Sequence, residues 1–137
     1  MAIVTFGTEA EQLIGWTAVN DSGKTQLTNA INSLPKQPKG ATDIGLGMKK
    51  AQELMRSAQS GTDRQKIVII FTDGVPTRPD KWGNATEFRT DVANEAISAA
   101  KAMKDAGTVV YTVGIFNGAN PAQLYGNSGF DKNSDGS

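Results

Sequence analysis

The chain of 137 residues contains no cysteine and no histidine. The absence of cysteine excludes disulfides, thiolate metal sites and a cysteine nucleophile. The absence of histidine excludes a Ser-His-Asp triad and a histidine-ligated metal. The side chains that remain for chemistry carry oxygen, and oxygen ligands favour hard cations such as Mg²⁺, Ca²⁺ or Mn²⁺.

An excess of one charge and long apolar runs are also missing. Fourteen basic residues balance fourteen acidic ones, which argues against nucleic-acid binding because that function needs a basic surface. No apolar run approaches the ~18 residues that span a bilayer, and no secretory signal is visible. Hydrophobic residues still make up 38% of the chain, so we expect one folded domain.

Apolar periodicity predicts strands that alternate with helices. Runs rich in β-branched and aromatic residues predict strands at residues 2–6, 11–19, 67–71 and 108–115. Apolar residues at helical spacing predict helices at residues 25–33, 42–58 and 87–105. The predicted apolar stripes are Ile44, Met48, Ala51, Met55 and Ala58 in the second helix and Val92, Ala96, Ala99 and Met103 in the third. The strand at 67–71 is apolar throughout, which is typical of a parallel strand covered on both faces. This alternation predicts an α/β layered fold with a mainly parallel sheet.

Two oxygen-bearing residues occupy positions where ligands gather in parallel sheets. Asp73 follows the most apolar strand, and Thr42 stands where a helix begins. Loops at the carboxyl ends of strands form the usual binding crevice, so a hydroxyl and a carboxylate there could coordinate a hard cation. Two simpler interpretations are open: Thr42 as a helix N-cap and Asp73 as a turn residue.

Several segments together resemble the von Willebrand factor type A domain. Residues 67–74, IVIIFTDG, resemble the family's strand that ends in Thr-Asp-Gly. Residues 40–48, GATDIGLGM, resemble its threonine loop and the helix that follows. Residues 2–7, AIVTFG, are similar to its second strand, and residues 111–115, YTVGI, to a later strand.

The resemblance implies a Rossmann-like sheet with helices on both faces and a metal-ion-dependent adhesion site. That site binds Mg²⁺ or a similar ion, such as Mn²⁺ or Ca²⁺, and accepts an acidic group from a protein ligand. Carried over by position, the threonine ligand is Thr42, and the aspartate, which usually acts through water, is Asp73.

The family's first strand, which ends in Asp-x-Ser-x-Ser, has no counterpart in the chain. We therefore expect a domain truncated at its amino end, without its first strand and helix. With Thr42 and Asp73 alone, water would fill most coordination positions of a cation, so metal binding is expected to be weak or absent. An unfilled place in the sheet would leave an open edge, and such an edge favours self-association.

Two other motifs suggest competing functions. Residues 18–25, AVNDSGKT, fit a relaxed phosphate-binding loop between a strand and a helix, which would suit a small nucleotide-binding enzyme. The competing interpretation is a polar turn before a short helix. Residues 131–137, DKNSDGS, match the first half of a calcium loop, although a plain polar tail explains them as well. A structural α/β fragment without activity is the third alternative.

The sequence thus predicts a binding module rather than an enzyme, with the domain at residues 1–120 and a polar, loose tail at 121–137. Residues 114–121, GIFNGANP, resemble such domains in surface proteins of Gram-positive bacteria. The parent protein is therefore expected to be extracellular or attached to the cell wall. Its expected partner is a protein ligand, such as a host or matrix protein, and neither a nucleic acid nor a membrane span is expected.

Overall fold

The computed structural model describes residues 1–36, 40–58, 64–72, 75–79 and 88–114. In this part of the chain, two strands and two helices are followed by a strand, a helix and a strand. They are β1 (Ile3–Phe6), β2 (Ala10–Ile14), α1 (Asp21–Asn32), α2 (Ile44–Ser57), β3 (Ile67–Thr72), α3 (Thr90–Asp105) and β4 (Val109–Gly114). No helix among the described residues is long and apolar enough to cross a membrane.

The described strands form two separate two-stranded sheets. β1 and β2 pair antiparallel, with Phe6 opposite Ala10 next to a short connection. β3 and β4 pair parallel and in register from Ile67 opposite Val109 to Thr72 opposite Gly114. The connection between β3 and β4 contains α3, as parallel neighbours require.

The main core lies between α2, α3 and one face of the β3–β4 sheet. Its buried members are Met48 of α2, Val68 of β3, and Ala99 and Met103 of α3. The apolar stripes predicted for the two helices supply most of the side chains around them: Ile44, Ala51, Met55, Ile70, Ala96, Ala100 and Val110. Periodicity therefore located the buried faces of both helices correctly.

Two glycines at the start of α2 permit close packing on both sides of the helix. A Cβ at Gly47 would lie 2.8 Å from the ring of Phe6 on β1, and one at Gly45 would lie 3.0 Å from Val92 O on α3. Real Cβ atoms essentially never approach other atoms more closely than 3.0 Å. Small residues at these positions thus let α2 contact both the β1–β2 hairpin and α3.

Two predicted boundaries differ from the structure by four residues or more. The segment predicted as a turn before residue 25 is helical, because α1 begins at Asp21 with Asn20 as its N-cap. The second strand ends at Ile14 rather than continuing to residue 19, since Gly15 weakens strand formation. The predicted helix start at 87, residue 115 and the tail at 121–137 lie outside the described residues.

In the described part of the chain, helices cover one face of β3. Val68 is buried against the helices, whereas Ile67, Ile69 and Phe71 are exposed on the opposite face. Alternate side chains of a strand point to opposite faces, and α2 and α3 both contribute to the core on the same one. The apolar run therefore has one covered and one exposed face.

Candidate functional site

Thr42 lies in the turn that leads into α2, but it is not the N-cap. Asp43 has that role: its Oδ1 accepts a hydrogen bond of 2.9 Å from Leu46 N. The Thr42 backbone is held at both ends, and no hydrogen bond of its hydroxyl occurs within the described residues. The N-cap interpretation of Thr42 is therefore wrong, and the structure leaves its half-buried hydroxyl available as an oxygen ligand.

Residues 75–79, here called the strap, bind the Thr42 turn directly. Thr42 N donates to Thr77 Oγ1 at 2.8 Å, and Thr77 N donates to Thr42 O at 3.1 Å. The strap is also joined to the segment before α3, because Arg89 N donates to Pro76 O at 2.9 Å. The chain that follows β3 is thus held against the start of α2.

A buried ion pair strengthens this attachment. Asp43 is fully buried, and Arg78 of the strap donates through Nε to Oδ2 at 2.5 Å and through Nη2 to Oδ1 at 3.2 Å. A buried carboxylate is costly unless it is paired and hydrogen-bonded. The planar fork of arginine supplies both the charge and the two donors in one geometry.

Arg78 reaches α3 as well as α2. Its Nη2 donates to Glu95 Oε2 at 2.8 Å, and Lys49 Nζ of α2 donates to the same oxygen at 2.8 Å. These two hydrogen bonds lower the pKa of Glu95 to about 2. The carboxylates of Asp43 and Glu95 raise the pKa of Arg78 above its ordinary value. One guanidinium therefore links the strap, the start of α2 and the middle of α3.

Asp73, the second predicted ligand, lies outside the described residues. It directly follows Thr72, the last residue of β3, and precedes Thr77 by four positions. Four residues span at most roughly 14 Å of extended chain, and Thr77 is bonded to Thr42. The position of Asp73 relative to the Thr42 turn therefore stays a prediction.

The network around Arg78 was not predicted from the sequence. Asp43 carried a signal, since an aspartate before a helical pattern is a common N-cap. Arg78 carried none, because its partners lie 35 and 17 positions away in the chain. Within the described ranges, no group of three or more acidic residues is placed to hold a metal.

The nucleotide-binding alternative finds no open cradle at residues 18–25. Gly23 N, an amide that a phosphate would need, donates instead to Asn20 Oδ1 at 2.8 Å. A Cβ at Gly23 would lie 1.7 Å from Ala18 O, so the glycine serves close backbone packing. The half calcium loop at 131–137 lies beyond the described residues.

The described elements define a Rossmann-like α/β module whose candidate ligand position lies where the chain leaves a parallel strand. A family model for the von Willebrand factor type A domain matches residues 1–133. The chain belongs to the von Willebrand factor type A family. This membership confirms the predicted fold class and indicates a protein-interaction module of the adhesion type.

Proposed function

We propose that the chain is a metal-ion-dependent adhesion module whose cation lies between Thr42 and Asp73. The observation that carries the proposal is the Thr42 hydroxyl, which makes no hydrogen bond within the described residues. The Thr42 backbone is held by Thr77 Oγ1 and Thr77 N. Asp43 caps α2 instead, so the helix does not need that hydroxyl. Thr42 then serves as a neutral oxygen ligand, and Asp73 holds the cation directly or through water.

The available donor set suits a hard cation bound weakly. A hydroxyl and a carboxylate are ligands that Mg²⁺ and Mn²⁺ accept, with water in the remaining positions. A bound cation would present an open position to an acidic group of a protein ligand. Because only one of the two protein ligands is charged, we expect a dissociation constant for Mg²⁺ above about 1 mM.

Family membership also supports a role in protein binding outside the cell. We infer a non-catalytic module that acts outside the cell or on the cell wall of a Gram-positive bacterium. Its partner would be a host or matrix protein that offers an acidic side chain. Equal numbers of acidic and basic residues leave recognition to this local site rather than to the overall charge of the molecule.

Paramagnetic Mn²⁺ provides the test, because it broadens nearby amide signals even when binding is weak. We expect sub-stoichiometric Mn²⁺ to broaden the amide signals of Thr42, Thr72 and Thr77 first. The isosteric variants Thr42→Val and Asp73→Asn should each reduce this broadening several-fold, since each removes one ligand. Calorimetry with Mg²⁺ should give a dissociation constant above about 1 mM for the unaltered chain.

Matched variants on α1 serve as controls. Thr25→Val and Asp21→Asn make the same changes at exposed positions of α1, and both should leave the broadening unchanged. Broadening centred on another part of the chain, or equal broadening in Asp73→Asn, would disprove the assignment.

A further inference from the structure

Residues 7–9, which connect β1 to β2, are hydrogen-bonded to the Thr42 turn. Ala41 N donates to Thr8 Oγ1 at 3.1 Å, and Asp43 N donates to Gly7 O at 3.0 Å. The first of these bonds uses a side-chain hydroxyl and the second uses a backbone carbonyl. The β1–β2 hairpin therefore holds the turn on either side of its central residue.

The strap holds that central residue. Thr42 N donates to Thr77 Oγ1 at 2.8 Å, and Thr42 O accepts from Thr77 N at 3.1 Å and from Ile44 N at 3.0 Å. The amides of residues 41, 42 and 43 thus all have partners, in two segments that are far apart in the sequence. A backbone held at three consecutive residues fixes the position of the Thr42 Cβ and limits the positions open to its hydroxyl.

Gly40 permits the close approach of Thr8 to the turn. Its φ of +103° lies in the left-handed region that L side chains rarely adopt. A Cβ at this position would lie 2.4 Å from Thr8 Oγ1, the atom that accepts from Ala41 N. Glycine at position 40 therefore allows both this backbone conformation and this hydrogen bond.

We propose that the hydroxyls of Thr8 and Thr77 are positioning groups for the candidate cation site. The proposal rests on the proposed function, since it takes Thr42 as the ligand. Each hydroxyl acts through a backbone amide of the turn rather than as a ligand. Groups that orient a metal ligand contribute to affinity without touching the metal. Mg²⁺ demands near-ideal geometry, so a ligand on a held turn binds it at a lower cost in ordering.

Amide hydrogen exchange without metal tests the turn itself. Thr77→Val removes the acceptor of the Thr42 amide and keeps the shape of the side chain. That amide should then exchange at least about fivefold faster, the factor that corresponds to one ordinary hydrogen bond. Thr8→Val should have the same effect on the Ala41 amide. Thr77→Ser and Thr8→Ser keep the oxygen and should exchange like the unaltered chain.

Mn²⁺ broadening of the amide signals around Thr42 tests the link to the cation. Thr77→Val and Thr8→Val should each reduce the broadening by about two- to fivefold, and the two serine variants should restore it. The matched control is Thr17→Val. The half-buried Thr17 also uses its hydroxyl in a hydrogen bond to the backbone, at 3.1 Å. It pairs with Met1, at the opposite end of β1 from residues 7–9, so this variant should leave the broadening unchanged.

Different results contradict the cation site and the positioning role. If the unaltered chain shows no Mn²⁺ broadening, the proposed function fails, and with it any effect of the two hydroxyls on cation binding. The exchange rates still decide whether these hydroxyls hold the turn, and equal rates in the valine and serine variants would overturn that role. Full broadening in both valine variants, or an equal reduction in Thr17→Val, would overturn the link between the held turn and the cation.

Discussion

Neighbouring residues of β3 occupy opposite environments. Val68 is 8% exposed and packs against Met48 and Met103 from the two helices. Ile69, the next residue, is 54% exposed on the opposite face of the strand. The two side chains are nearly equal in hydrophobicity, so their difference in burial comes from which face α2 and α3 cover.

Charged groups show the same contrast between a buried and an exposed position. Asp43 is fully buried and shares a fork of hydrogen bonds with Arg78. Arg89 and Asp91 make a similar two-bond contact at the surface. A pair that is partly removed from water costs far more to break than an exposed pair. Position relative to the helices therefore decides what each apolar or charged residue contributes to stability.

The largest effect is expected for a charge placed on the covered face of β3. Val68→Asp should lower the free energy of unfolding by about 4 kcal/mol or more, because an unpaired carboxylate would enter the core. Ile69→Asp, one residue along, should cost less than about 1 kcal/mol in the monomer. Urea unfolding followed by circular dichroism at low protein concentration measures both. Similar losses in the two variants would mean that the exposed face is covered in solution.

A smaller loss is expected when the buried ion pair is broken. Arg78→Ala should cost about 2–4 kcal/mol, since it leaves the buried Asp43 carboxylate without a charged partner. Adding Asp43→Asn should recover part of this loss, because the amide still caps α2 without a charge. The exposed counterpart, Arg89→Ala, should change stability little. Thermal unfolding of these three variants and of the unaltered chain tests the difference, and an equal loss in Arg89→Ala would contradict it.

The smallest effect concerns pH. Arg78 and Lys49 lower the pKa of Glu95 in the folded chain from 4.5 to about 2. The ionised group therefore contributes stability above its unfolded pKa, and that contribution is lost as pH falls from about 4.5 towards 2. Glu95→Gln should be less stable than the unaltered chain at pH 7, and the difference should shrink by pH 3.

The control for the pH measurement is Glu53→Gln. Glu53 pairs with Lys50 on an exposed part of α2, where ion pairs contribute little. The urea midpoints of this variant and of the unaltered chain should stay close at both pH values. A Glu95→Gln difference that is constant from pH 7 to pH 3 would show that hydrogen bonding without charge is responsible.

Local sequence pattern predicted the strands and helices, and the buried face of α3, better than it predicted where each helix begins. The stripe of α3 was correct, with Val92, Ala99 and Met103 all buried, because helical spacing puts such residues on one face. The start of α1 was predicted four residues too late. An asparagine side chain is equally suited to a turn and to a helix N-cap, so the sequence around Asn20 did not distinguish the two.

In the candidate site too, local pattern predicted some residues and missed others that depend on tertiary contacts. Thr42 and Asp73 were selected because parallel sheets gather ligands beyond their strand ends. The structure holds the backbone of the Thr42 turn and shows no hydrogen bond of its hydroxyl within the described residues. The ligand roles of Thr42 and Asp73 both stay predictions. Arg78 was missed because neither its charge nor its spacing distinguishes it from other surface arginines.

By itself, the sequence determined the order of strands and helices, the apolar stripes of α2 and α3, and the oxygen-only chemistry open to the chain. These properties depend on residues a few positions apart, whose geometry the helix and strand repeats dictate. Tertiary structure alone decided that Asp43 is buried beside Arg78 and that Ile69 is exposed while Val68 is not. Both outcomes depend on packing between distant segments, which local spacing does not encode.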